Sequence, residues 1–165
     1  MFKGQGVNPN EQGSSALTEA VKRMKWVTRE RVKVDRVACP WLITRFIDSE
    51  PEFIFVPATE VLSAARRVGG RSFDAEGADY THIGNKCTFE VLLEAYNLTD
   101  PALHRLASIV HGADVEGEEG TDPHSSGLKA IAEGFNLLHS SDHIILDEEF
   151  PVYDALYRWC QEQAG

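Results

Sequence analysis

The run Val34-Asp35-Arg36-Val37-Ala38-Cys39-Pro40-Trp41-Leu42-Ile43-Thr44-Arg45-Phe46-Ile47-Asp48 constrains this chain more than any other segment. It sets two aspartates, two arginines, a thiol and an indole inside an otherwise apolar stretch, and core packing alone does not ask for that mixture. Val32 and Val34 alternate within Arg31 to Arg36, which predicts a short strand that Asp35 and Arg36 close. Cys39-Pro40 then predicts a turn into a helix on which Trp41, Arg45 and Asp48 recur at helical spacing. Arg45, four residues after Trp41, shares its face, so the guanidinium can stack on the indole or fork onto an anion, with Asp35 and Asp48 neutralising the two arginines. Two readings stand: an internal ion-pair cluster tying strand to helix, or a ligand site built from Asp35, Arg36, Cys39, Trp41 and Arg45.

A chain of 165 residues fits one domain and can bury a core without cross-links. Residues 1–15, with Gly4, Gly6, Gly13, Ser14 and Ser15, have the composition of a flexible tail, which leaves 16–165 as the expected domain. Acidic residues lead basic ones by 26 to 16, for a formal charge of −10, which argues against direct nucleic-acid binding. The basic residues between Lys22 and Lys33 are interrupted by apolar ones and read as a solvated edge. Three cysteines, at 39, 87 and 160 and without CxxC spacing, indicate neither a disulfide framework nor a zinc ribbon, so a reducing cytoplasm is the expected compartment. No stretch approaches the roughly 20 apolar residues of a membrane span, and Met1 to Ser15 carries no apolar signal core.

The remaining patterns predict a single compact domain, mainly α with a small β-sheet (α+β). Phe53 to Val56 is aromatic and β-branched and is expected to pair with the Val32 strand, and Arg71 to Asp74 is a third short strand. Helices are expected at Ala16–Met24, Pro40–Asp48, Glu60–Val68 with Thr59 as cap and Gly69-Gly70 as stop, and Thr88–Tyr96 with Thr88 as cap. Asp100-Pro101 opens another that runs through His111, and Gly127–Gly134, Ser141–Glu149 (capped by Asp142) and Pro151–Gln163 complete the set.

Imidazoles and carboxylates gather in the second half. His111 and Asp114 lie three apart at a helix end, and His82 sits in a glycine-rich loop with acidic neighbours. With Glu90 they would make a chemically reasonable site for a divalent ion, zinc, iron or manganese. Against this stands a structural reading, with His111 complementing a helix dipole and His82 held by loop hydrogen bonds. Cys39, read at a helix start beside Arg36, is the best candidate for a reactive thiolate. A metal-dependent hydrolase would take Asp74 or Glu76 as base, and an oxyanion reductase would use Cys39, although no flavin or dinucleotide fingerprint accompanies it. Cys160 and the stripe Tyr153, Leu156 and Tyr157 read as packing.

Several separated motifs in order carry a resemblance: Lys33 to Ile43 with Arg45-Phe46-Ile47-Asp48, Phe55-Val56-Pro57, Phe73-Asp74, His82-Ile83-Gly84 with Cys87-Thr88-Phe89-Glu90, Asp100-Pro101-Ala102-Leu103, Ile109 to Asp114, Asp142-His143 and Tyr153 to Tyr157. Over about residues 25 to 162 the chain resembles the C-terminal domain family of the chromate-resistance protein ChrB. The resemblance implies a part in the chromate stress response, where full-length members behave as chromate-responsive regulators of an efflux system. What it implies for this chain is a sensing or binding function; the residues themselves offer a divalent metal ion at His82, Glu90, His111 and Asp114, a small oxyanion such as chromate or sulfate forked by Arg36 and Arg45, or both. A homodimer is a further open expectation.

Overall fold

The computed structural model describes residues 23–165. The tail expected over 1–15 and most of the helix expected at Ala16–Met24 lie outside the described residues. The first element is the strand β1 (Lys25–Arg29), in which Trp26 and Val27 are both buried because a strand turns successive side chains to opposite faces and this sheet is covered on both. β2 (Glu52–Val56) and β3 (Arg71–Ser72) flank it in the order β2-β1-β3, both parallel to it, with Trp26 opposite Phe53 and Arg71. Parallel neighbours need crossover connections. Helix α1 (Asp35–Leu42), continued by a π-helical turn at Ile43–Ile47, joins β1 to β2, and α2 (Val61–Val68) joins β2 to β3. Gly69 ends α2 in the left-handed region at φ 65°, which a glycine adopts without a Cβ penalty.

Four helices follow: α3 (Thr88–Ala95), α4 (Pro101–Asp114), α5 (Ser125–Leu138) and α6 (Asp142–Ala164). They close the larger core, where Trp26, Trp41, Phe73, Phe89, Leu103, Ile109 and Tyr153 are buried. A smaller core of Val27, Val61, Ala64, Ala65 and Ala75 fills the space under α2 on the other face of the sheet. This is the α+β architecture expected from the sequence. Among the described residues no helix is long and apolar enough to cross a membrane.

Several boundaries differ from the sequence expectation, each for a local reason. The strand expected at Arg31–Arg36 ends at Arg29, Arg31 turns the chain at φ 60°, and Asp35 opens α1. The Asp142 carboxylate accepts the Arg31 and Val32 backbone N–H groups at 3.0 and 2.9 Å, so these donors need no neighbouring strand. Phe53 to Val56 therefore pairs with β1 instead. Pro40 lies inside α1 rather than at its start. Cys87, not Thr88, is the N-cap of α3, and Ser141, not Asp142, caps α6. Glu60, not Thr59, holds the cap position of α2, without a side-chain cap bond. Helix α6 runs unbroken through Pro151, because its buried face of Ile145, Leu146, Glu149, Tyr153 and Cys160 outweighs the one N–H that proline lacks.

Gly112 does not stop α4 but lets α5 approach it. A Cβ built there would lie 2.3 Å from Ser125 Oγ, which donates to the Ile109 carbonyl at 2.9 Å. Gly112→Ala is expected to lower stability by roughly 1–3 kcal/mol through overpacking, read as a lower urea midpoint at unchanged slope.

Candidate metal centre

The chain leaves β1 into the first turn of α1 and leaves β3 into Phe73-Asp74, so Asp35 and Asp74 arrive beside each other at the carboxyl ends of two neighbouring strands. Open parallel sheets collect ligands at such ends. The last turn of α4 adds Asp114, and the loop after β3 adds His82. His82 Nε2 lies 3.3 Å from Asp114 Oδ2, 3.4 Å from Asp74 Oδ1 and 3.5 Å from Asp35 Oδ2.

Three nearly equal separations are not the pattern of one hydrogen bond. A single N–H serves one acceptor well, at about 2.7–3.2 Å, and all three oxygens lie beyond that. Ligands held about 2.0–2.2 Å from a tetrahedral ion are instead roughly 3.4 Å apart. Donor atoms of Asp35, His82 and Asp114 also lie within 4.8 Å of one another, so these three can share one ion.

Each carboxylate is held from behind. Asp35 accepts the Thr88 N–H at 2.8 Å and the Phe89 N–H at 3.2 Å, both at the N-terminus of α3, and the Cys39 thiol at 3.2 Å. Asp114 Oδ1 accepts the Asp35 N–H at 3.3 Å. Asp74 accepts the Thr88 hydroxyl at 2.8 Å and pairs with Arg36 at 3.2 Å and Arg29 at 3.3 Å. Its backbone sits in the left-handed region at φ 48°, a conformation that costs energy in a non-glycine residue. Such supporting bonds fix the orientation of metal-binding groups.

The electrostatics of the cluster favour a cation. Burial, followed by the charges of Asp35 and Asp74, pushes Asp114 up to about 7, and burial also raises Asp35. Burial would raise Asp74 too, but His82, Arg36, Thr88 and Arg29 together hold it well below the usual carboxylate range. Asp35 and Asp74 in turn lift His82 to about 10, so without a metal ion the imidazolium is the cation that offsets the carboxylates. The His82 side chain is 43% exposed, which gives the cluster an opening to solvent.

The structure divides the four expected metal ligands into two pairs. His82 and Asp114 join Asp35, whereas Glu90 Oε2 lies 2.8 Å from His111 Nδ1 beside Cys87. The sequence pattern pairs Asp35 with Arg36 and offers Thr88 as a cap, whereas the structure sets Asp35 beside His82 and Asp114, with the Thr88 N–H bonded to its carboxylate. Cys39 is fully buried within α1, and burial together with Asp35 and Asp74 pushes its thiol well above its ordinary value. The lowered pKa expected of a reactive thiolate at a helix start is therefore not found, since negative rather than positive charge surrounds the sulfur. Glu76 is exposed and lines a groove with Arg29, Leu62 and Arg66.

Arg36 and Arg45 are engaged separately. Arg45 forks onto Asp154 at 3.0 and 2.9 Å and lies over Phe150 rather than Trp41, while Trp41 Nε1 donates to the same Asp154 at 2.8 Å. Asp48 accepts from Trp26 instead of neutralising an arginine. The Arg45 and Asp154 side chains are 41% and 45% exposed, so Arg45→Met is expected to change stability by no more than about 1 kcal/mol in chemical denaturation.

No solved structure matches this chain. Protein ChrB of Cupriavidus metallidurans is 40% identical to it over 134 residues, which covers 81% of this chain and 40% of that protein, so the chain spans about two-fifths of the length of the relative. The model of the family described as ChrB, C-terminal domain matches residues 26–160. That match runs from β1 into α6 and takes in Asp35, Asp74, His82 and Asp114, and the chain belongs to the ChrB C-terminal domain family.

Proposed function

We propose that this domain binds a divalent metal ion through Asp35, His82 and Asp114, as part of a protein associated with chromate resistance. The observation that carries the reading is His82 Nε2 ringed by three carboxylate oxygens at 3.3–3.5 Å, each held by further bonds. Membership of the ChrB C-terminal family supports the link to chromate resistance. Two carboxylates and one imidazole suit manganese, iron(II) or zinc. Asp74 stays on its arginines and steadies His82 from the side.

Three protein ligands leave positions for water or an exogenous ligand on the solvent side of His82. A chromate or sulfate ion approaching the metal-free cluster meets three carboxylates, so the oxyanion belongs at this site only as a ligand of the bound metal. The enzyme readings gain no comparable support: Cys39 is buried and protonated, and Glu76 is exposed in a different groove.

The test is calorimetric titration of metal-stripped protein with Mn²⁺, for the wild type and His82→Ala. Saturable binding lost in His82→Ala supports the site, and binding that His82→Ala leaves intact contradicts it. Chromate is expected to give heat only after metal loading. Chromate heat from the metal-free protein would restore Arg36 and Arg45 as the anion site.

A further inference from the structure

We propose a second metal site, at Cys87, Glu90 and His111, suited to a zinc-type ion. A sulfur, a carboxylate oxygen and an imidazole nitrogen from these residues all lie within 4.8 Å of one another. The geometry follows from the start of α3. Cys87 is the N-cap and Glu90 the third helical residue, and they form a reciprocal capping box in which Glu90 Oε2 accepts the Cys87 N–H at 2.8 Å and the Glu90 N–H faces Cys87 Sγ. A cap three residues from its partner puts thiol and carboxylate on one side of the turn. The last turn of α4 brings His111 against them, with Nδ1 2.8 Å from Glu90 Oε2, while Glu118 lies 3.9 Å from the opposite ring nitrogen, Nε2.

A structural capping box needs no imidazole, and a packing cysteine needs none beside it. Cys87 is fully buried, and the His111 side chain is only 12% exposed. Burial and the charge of Asp35 push the Cys87 thiol well above its ordinary value and the Glu90 N–H pulls the other way, so a thiolate forms here only where a divalent ion displaces the proton. The donor sets differ in kind. Sulfur, nitrogen and oxygen at Cys87, His111 and Glu90 suit zinc, while the oxygen-rich set at Asp35, His82 and Asp114 suits harder ions. One turn serves both: the Thr88 and Phe89 N–H groups hold Asp35, and Cys87 and Glu90 face His111.

The test is titration of the metal-stripped full chain with Co²⁺, followed by absorption. A sulfur-to-cobalt charge-transfer band in the near ultraviolet is expected, absent in Cys87→Ser and retained in Asp114→Asn. His111→Ala, which leaves Cys87 packed in place, is expected to weaken the cobalt affinity read from that band by at least about tenfold. A wild-type titration without the band, a band that persists in Cys87→Ser, or an unchanged affinity in His111→Ala overturns the second site. None of these results bears on Asp35, His82 and Asp114, whose failure would appear as a Mn²⁺ heat that His82→Ala leaves unchanged.

Discussion

Asp114→Asn is expected to abolish metal binding at the carboxylate cluster and, in the metal-free protein, to raise stability. The two effects have one cause. Asp114 lies in a buried site where Asp35 and Asp74 already place negative charge, and its carboxyl is pushed up to about 7 by burial and by those neighbours. Asparagine keeps an oxygen for the Asp35 N–H and removes the repulsion. A rise from 3.8 to about 7 corresponds to at most about 4 kcal/mol of such relief at pH 8. The wild type recovers much of the difference by binding: with metal at about 100 times its dissociation constant, linkage adds about 2.7 kcal/mol, or roughly 5–10 °C in Tm for a chain of this size. Thermal melts with and without Mn²⁺ check both halves. A variant that melts lower than the metal-free wild type and still gains from Mn²⁺ contradicts the assignment.

Glu149→Met is expected to stabilise the protein at alkaline pH and to do little at acid pH. Glu149 is buried in α6, neither carboxylate oxygen has a hydrogen-bond partner among the described residues, and burial alone raises the carboxyl from 4.5 to about 7. Since the folded value lies above the unfolded one, the native state keeps a proton that the unfolded chain has released between those limits. The stability tied to that proton is full below about pH 4.5 and drains as pH rises through 7. The span corresponds to about 3 kcal/mol. Methionine has similar volume and no charge to bury, so its advantage over the wild type is expected to grow by that amount between pH 4.5 and 8. Urea denaturation at the two pH values measures the growth, and an advantage independent of pH would mean that Glu149 is not the titrating group.

The elements that were legible in the sequence carry their signals locally. Asp100-Pro101 starts α4, with Asp100 accepting the Ala102 N–H at 2.8 Å, and Gly69 stops α2. Phe53 to Val56 is a strand by its own composition. The misplaced strand at Arg31–Arg36 failed because the satisfaction of its backbone came from Asp142, 111 residues beyond Arg31.

The site was legible in its residue types and not in its grouping. Spacing joined His111 to Asp114, but the last turn of α4 offers them different neighbours, Glu90 for one and His82 for the other. Adjacency joined Asp35 to Arg36, yet Asp35 is claimed by the N-terminus of α3, 53 residues further on. Trp41 and Arg45 do act together, through Asp154, which no local pattern ties to them.

The central claim is tested most directly by anomalous diffraction from crystals loaded with Mn²⁺. The account expects a manganese peak bounded by Asp35 Oδ2, His82 Nε2 and Asp114 Oδ2, with Asp74 still on Arg36 and Arg29. Density that shows these oxygens closed on a protonated His82, with no anomalous peak among them at saturating Mn²⁺, would contradict it.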